Sequence, residues 1–431
     1  MQWSVCSGQA LKYLRVRTAS ASICMCASML LPGPPVHASA AMSSSPLLAT
    51  DLNEAVSRLP VSVTLGDGSQ ARGEMLLTTF APAGPGPFPI AIINHGRNPD
   101  RNTPDRFRMI GMASYLVRHG FAVFVPTRLG YGGSTLLPAQ RAGNVIDPEA
   151  SGDCSHHDYS IGLRPAMEQI SATLNYARQQ RYVDASRYLL VGQSAGGFTT
   201  VAYAAGKPAG LIGYVNFAGG VGGDPLKHPG VPCRPEMLTA AYAQYGRTAV
   251  APSLWIYTEN DQYFAPRYSR AWYRAFAAGG SPSRFVLQAP FDDDGHKLLS
   301  NGLPIWRPLM DNFLATLGIP AVPPPAPPTA SGYATIHDIA RVPWLDASAK
   351  ARGYAKFLAA PPPRAFAISE AGYWGWANGP EQAGSAALAN CNRRSPKPCV
   401  LYAVDDAVVW RAPGTGEVAA QSMPLNYDKP R

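Results

Sequence analysis

The sequence predicts an α/β protein: a mainly parallel sheet with helices on both faces, followed by a smaller α+β unit. Three observations carry this. Between residues 60 and 318, short apolar runs alternate with segments of helical periodicity, the pattern of parallel strands joined by crossover helices. Several of these runs, "FPIAIINHG" among them, are apolar along their length, as strands buried on both faces should be. Residues 319–330, "IPAVPPPAPPTA", form a stiff proline-rich spacer that sets off residues 331–431.

The elements follow in order. "VSVTLGDGSQARGEMLLTTFAP" alternates and turns at Gly-Asp-Gly, which predicts an antiparallel strand pair. "FPIAIINHG" is a buried strand, "DRFRMIGMASYLVRHG" a helix stopped at Gly120, and "FAVFVPTRLGYGGS" the next strand. A long loop through Cys154 leads to "GLRPAMEQISATLNYARQQR", where Met167, Ile170, Leu174 and Ala177 share one helical face. Strand "SRYLLVG", a helix from "SAGGFTTVAYAAG" and strand "LIGYVNFAG" come next. After a second long loop, about 220–250, come strand "PSLWIYTEN", helix "PRYSRAWYRAFAAGG", strand "RFVLQAP" and a last helix in "PIWRPLMDNFLATLG".

Composition bounds the function classes. With 46% hydrophobic and 15% charged residues among 431, most of the chain should fold. The net charge is +9, with Lys12, Arg15 and Arg17 inside an expected targeting peptide, and there is no basic run or nucleic-acid motif. Residues 1–40 read as an export signal: basic "LKYLRVR", apolar "SICMCASMLL", then a small-x-small site at 36–38 or 38–40. The apolar stretch is too short to span a bilayer, and neither Cys24 nor Cys26 follows the small residue of a lipoprotein signal. The expected location is therefore the periplasm or the exterior, and the expected organisation is signal 1–40, main domain 41–318, spacer 319–330 and C-terminal domain 331–431.

Removal of the signal leaves Cys154, Cys233, Cys391 and Cys399, an even number that predicts two disulfides in an exported chain. Three pairings are open; 154–233 with 391–399 is the simplest, since it keeps each bridge within one domain. A site holding metal on all four lacks close C-x-x-C pairs. A Cys154–Cys233 bridge would tie the two long loops, closing about 80 residues for about 4 kcal/mol on the chain-entropy model.

The chemistry centres on "LLVGQSAGGF", residues 189–198. Ser194 sits where a strand turns sharply into a helix, between Gly192 and Gly196, which lets strand and helix approach closely. A hydroxyl becomes a useful nucleophile only when a base takes its proton and an acid orients that base. Asp261 in "TENDQYFAP" and His296 in "FDDDGHKLL" both follow later strands at the sheet's carboxyl edge, in the chain order Ser, Asp, His. Glu259 lies too near its strand to be preferred, and Asp292, Asp293 and Asp294 stand too close to His296 along the chain. His156 and His157 have nothing nearby to complete a metal set, so a polar loop role is expected. The oxyanion donors expected are the amide of Ala195 and that of Arg97 in "NHGRN"; the Arg97 side chain could also meet a substrate carboxylate.

The motifs "NHG", "RLGYGGS", "GQSAGG", "TENDQYFAP" and "DGH", in that order, resemble the α/β-hydrolase superfamily over residues 60–318. The likeness is to its dienelactone-hydrolase-like and secreted esterase branches. It implies a Ser194–His296–Asp261 triad, an acyl-enzyme intermediate and no cofactor or metal. The partner implied is a small-molecule or polymeric ester; no nucleic acid and no membrane span is expected. Arg-Asn-Pro after "HG" departs from the glycine-rich run of many lipases, and dienelactone hydrolases themselves use cysteine, so their activity is not implied. A prolyl-oligopeptidase-like serine peptidase is a rival with the same triad order, though the residues before the first strand are too few for its propeller. A non-catalytic binding protein on this scaffold is the other rival. The C-terminal residues read as strand ("PRAFAISEAGYWGWANG"), helix and strand ("CVLYAVDDAVVW"), similar to small cysteine-containing modules of exported bacterial proteins. Trp374 and Trp376 alternate on one strand face, as core packing or as a binding platform.

Overall fold

The structure, a computed structural model, describes residues 52–98, 104–135, 154, 158–323, 329–379 and 383–412. The expected signal, His156 and His157 lie outside them, as does the middle of the spacer. Strand β1 (Ala55–Thr64) pairs antiparallel with β2 (Gln70–Phe80), with Ala55 opposite Thr79, and so forms the hairpin expected at Gly-Asp-Gly. Strand β1 begins before the run at Val61 and contains Pro60, which is tolerated because β1 is the edge of the sheet.

Then follow β3 (Phe88–Asn94), α1 (Ile110–Arg118), β4 (Ala122–Thr127), α2 (Ser160–Arg178), β5 (Val183–Gln193), α3 (Ala195–Ala205) and β6 (Leu211–Phe217). Helix α4 (Pro235–Gly246), β7 (Ser253–Thr258), α5 (Pro266–Ala277), β8 (Ser283–Gln288), α6 (Leu298–Asn301) and α7 (Leu303–Thr316) complete this part. Helix α4 corrects the expectation of a long loop over 220–250. Pro235 occupies its first turn, and Leu238 and Tyr242, one turn apart, are buried against the sheet.

The eight strands form one sheet in the order β1-β2-β4-β3-β5-β6-β7-β8. Strand β2 runs antiparallel to β4, and from β4 to β8 every neighbouring pair is parallel. Alternate residues of the central strands enter different cores. Ala91, Ile93, Leu189 and Val191 pack with α1 and α7 through Leu116, Trp306 and Met310. Ile90, Ile92, Tyr188 and Leu190 pack with α2, α3, α4 and α5 through Leu174, Phe198, Tyr242 and Trp272. Both faces are covered, which is why these runs carry no polar alternation. The architecture is the α/β-hydrolase fold. Its strand order reverses between β3 and β5, and in such sheets the crevice at the carboxyl ends of the two strands is the place for a ligand.

Residues 331–412 carry a separate antiparallel sheet, β10-β9-β11-β12, with its own core around Tyr354, Phe357, Phe366 and Tyr402. Each expected long strand is in fact a hairpin: β9 (Arg364–Ile368) turns into β10 (Trp374–Asn378), and β11 (Val400–Val404) into β12 (Ala407–Val408). Helix α8 (Ala383–Asn392) crosses behind β9 and β10. Cys391 is bridged to Cys399, Cα atoms 6.1 Å apart. Trp374 and Trp376 are partly buried against this core; Trp374 stacks on Phe366 with centroids 5.9 Å apart, and Arg394 covers it. Core packing accounts for the pair. No helix among the described residues is long and apolar enough to cross a membrane.

One buried charge cluster fixes the chain ahead of α1. Glu54, its side chain fully buried, takes 2.7 Å bonds from Arg106 Nη1 and Arg108 Nε. Removing one member of such a cluster leaves the others charged and desolvated. Glu54→Ala should destabilise the fold by about 3–5 kcal/mol in urea unfolding, far more than truncation of an exposed acid such as Glu259.

Candidate active site

Ser194 stands at the end of β5, opposite the end of β3, at the reversal of strand order. Its backbone has φ 54° and ψ −124°, a strained conformation that the surroundings enforce. Its N–H donates to Phe217 O (2.9 Å), while its own carbonyl accepts from Phe198 N (3.0 Å) and Gly220 N (3.1 Å). A Cβ on Gly192 would collide with the Gly196 backbone and Thr200; one on Gly196 would enter the carbonyls of Asn94 and His95. Only glycine permits this approach of β3, β5 and α3. Ala195 opens α3, so its N–H is among the unpaired donors of the helix start, directly after Ser194.

The β3 end completes the crevice. A Cβ on Gly96 would stand 3.0 Å from Ser194 Cβ, so the backbone leading into Arg97 passes alongside the serine. This segment is held from behind by a group that sequence reasoning did not single out, Arg128 after β4. Its guanidinium donates to His95 O and, at 3.2 Å, to Gly96 O, and its backbone N–H donates to His95 Nε2 at 3.0 Å. Because Nε2 accepts, Nδ1 carries the proton and donates to Gly96 O (2.6 Å). The His95 ring is fully buried and stacked on Phe107, centroids 3.6 Å apart. Burial, reinforced by the Arg128 charge, holds its pKa well below the ordinary 6.5.

His296 lies in a 3-10 turn (Gly295–Lys297) after β8, and Asp261 in the loop after β7. His296 Nδ1 is 3.0 Å from Asp261 Oδ2 and 3.1 Å from Oδ1. The Asp261 carboxylate is inaccessible to solvent, and its Oδ1 also accepts from the N–H groups of Tyr263 (2.8 Å) and Phe264 (2.9 Å). Tyr263 stacks on the imidazole at 4.1 Å and Phe264 meets it edge-on at 5.4 Å, shielding it from water. The rejected acids are elsewhere: Glu259, Asp292 and Asp293 are exposed, and Asp293 pairs with Lys297.

Three further residues tie these loops together; the sequence singles out only Asp294, and that as an acid too close to His296, while Asn260 and Gln193 carry no signal. Asp294 Oδ1 accepts from the N–H groups of His296 (2.9 Å) and Gln262 (3.0 Å), linking the His296 loop to the Asp261 loop. Asn260 accepts from Phe291 N (2.9 Å) and donates to the carbonyls of Phe291 and Asp292. Gln193 Nε2, beside the serine, donates to His296 O at 3.1 Å. Below them Tyr242 and Tyr257 both donate to Gly219 O, at 3.1 and 2.6 Å; burial raises both phenols far above their ordinary pKa, so they remain donors.

Cys154 is bridged to Cys233 with Cα atoms 4.9 Å apart, within the range a disulfide spans. Tyr159 donates to Cys233 O, and Ala265 N donates to Gly230 O at 2.9 Å. The bridged loop therefore rests on the loop that carries Asp261.

No protein-family profile matches the chain, and no curated protein matches it. Among solved structures, Est1E from Butyrivibrio proteoclasticus, with ferulic acid bound, is 15% identical over 57% of this chain and 96% of that one, TM-score 0.40. A dienelactone hydrolase, so described, from Klebsiella pneumoniae is 17% identical over 62% and 98%, TM-score 0.37. The acylaminoacyl peptidase of Pyrococcus horikoshii is 13% identical over 61% of this chain but only 41% of that one, TM-score 0.40. These overlaps are distant; the sheet order and helix placement above establish the fold.

The neutral state of His95 has a consequence for pH. Its folded pKa lies below 6.5, so the unfolded chain binds the extra proton first. The stability it contributes is complete above pH 6.5 and is lost as pH falls from there toward the folded value. Urea unfolding should show up to about 1.4 kcal/mol lost per pH unit in that window from this residue, and His95→Gln should flatten the slope.

Proposed function

We propose that the protein is an exported serine hydrolase that cleaves carboxylic esters, with Ser194, His296 and Asp261 as its triad. The observation that carries this is the His296–Asp261 pair, a shielded imidazole fixed on a buried carboxylate. It occurs at the same sheet edge as a serine held at positive φ on a helix start. A structural turn has no use for either device, whereas nucleophilic catalysis needs both.

In this reading Nδ1–H of His296 donates a hydrogen bond to Asp261 and keeps its proton, leaving Nε2 to take the Ser194 proton as Oγ attacks the ester carbonyl. The tetrahedral oxyanion is received by the N–H groups of Ala195 and Arg97, pre-aimed by α3 and by the Arg128–His95 brace. The imidazolium then protonates the leaving alcohol, and water, activated by the same base, releases the acid. The expected signal peptide, with the two bridges, supports export. Residues 331–431 form a second domain in this proposal, and no ligand is assigned to it.

A fluorophosphonate probe should label the protein at Ser194 and label Ser194→Ala not at all. On nitrophenyl esters, Ser194→Ala and His296→Ala should each lose about 10⁴-fold or more in kcat. Hydrolysis of aminoacyl anilides with no ester turnover would point to a peptidase, and labelling that survives Ser194→Ala would end the triad reading. Arg128→Lys keeps the charge but not the forked contacts. It should lower kcat about 10- to 100-fold with KM nearly unchanged, since the brace serves the oxyanion and not the bound ester.

A further inference from the structure

The Cys154–Cys233 bridge has a third neighbour that a disulfide does not call for. His228 Nε2 lies 3.7 Å from both sulfurs. Its other nitrogen, Nδ1, is 2.5 Å from Val231 O, and because a carbonyl only accepts, Nδ1 carries the proton. Nε2 therefore turns its lone pair toward two sulfurs that, while bonded to each other, have no proton to give it. An N–H anchored on a backbone carbonyl, with the opposite nitrogen free, is how a metal-binding imidazole is held.

The spacing agrees. With Zn–S of about 2.3 Å and Zn–N of about 2.0–2.1 Å, tetrahedral angles place a nitrogen and a sulfur ligand about 3.6 Å apart. The three ligand atoms all lie within 4.8 Å of one another, and Cys154 and His228 are part-exposed, leaving an approach for solvent. We propose that Cys154, Cys233 and His228, when the bridge is reduced, form a Zn²⁺ site at the rim of the crevice. Two thiolates and an imidazole suit Zn²⁺ over Mg²⁺ or Ca²⁺, which take oxygen ligands.

The chemistry balances with a dithiol as reductant. It gives two electrons and two protons to the disulfide, producing two thiols, and itself becomes a disulfide. Zn²⁺ then displaces both thiol protons to solvent and bonds the two sulfurs and Nε2, with water in the fourth position. The sulfurs must separate to about 3.8 Å in a tetrahedral site. Rotation about the Cα–Cβ bonds supplies this across a Cα separation of 4.9 Å. Either cross-link, covalent or metallic, would hold the loop that rests on the acid loop through Gly230 and Ala265.

The test uses the full chain reduced by a phosphine, with Co²⁺ as a spectroscopic stand-in for Zn²⁺. Reduced wild-type protein should bind one equivalent with a thiolate-to-cobalt charge-transfer band and tetrahedral visible bands, and Zn²⁺ should displace it; oxidised protein should give neither. His228→Ala should weaken Co²⁺ binding at least about tenfold. Cys154→Ser should remove the charge-transfer band, and Cys391→Ser/Cys399→Ser should keep it. Absence of the band in reduced wild type, equal affinity in His228→Ala, or a band that follows Cys391 and Cys399 would overturn the site. Should Cys154→Ser fail to fold by circular dichroism, the His228→Ala titration decides alone.

Discussion

The structure turns on how closely three pieces of backbone approach one another where the strand order reverses. The ends of β3 and β5 and the first turn of α3 meet with no room for side chains, and Gly96, Gly192 and Gly196 are the residues in between. Such contact forces Ser194 into a positive φ that costs of order 1–3 kcal/mol, and three backbone hydrogen bonds from β6, its following loop and α3 hold it there. The same contact brings the β3 loop alongside the serine. The position of Ser194, the start of α3 and the course of the loop after β3 are thus one packing solution rather than three.

The partners of the serine come from farther along the sheet and need a different kind of support. They sit on loops, which a sheet edge alone would leave loose. Here side-chain amides and carboxylates stand in for backbone pairing: Asn260 and Asp294 bind N–H and C=O groups of the neighbouring loop, so Asp261 and His296 are mounted as one piece. The aromatic pair Tyr263 and Phe264 adds shielding, and the buried phenols of Tyr242 and Tyr257 secure the adjoining turn at Gly219.

Much of this was legible in the sequence because it rests on short-range patterns. Strands buried on both faces read as continuous apolar runs, and Ser194 and Asp261 each follow such a run, while His296 follows the shorter apolar stretch of the edge strand β8. Helix α4 is hard to read because its residues lie next to a stretch of glycines and prolines, although Pro235 followed by Leu238 and Tyr242 is a usable signal. The C-terminal hairpins look like single strands in the sequence because apolar residues flank the turns at Gly372 and Asp405 on both sides. The supporting contacts of Arg128, Asn260, Asp294 and Gln193 could not be found this way. Apart from the bond of Asp294 to His296 N two residues on, these contacts join residues 31 or more apart along the chain, and nothing local marks them.

Gln193 changes how the Gly-x-Ser-x-Gly signature itself should be understood in this chain. The signature leaves its second position open, yet here that side chain reaches across the crevice to the carbonyl of His296. The backbone that presents the serine and the backbone that presents the imidazole are joined by that one amide. A change at the open letter of the motif would be felt at the other side of the cleft, so the motif's tolerance is a property of its spelling and not of this molecule.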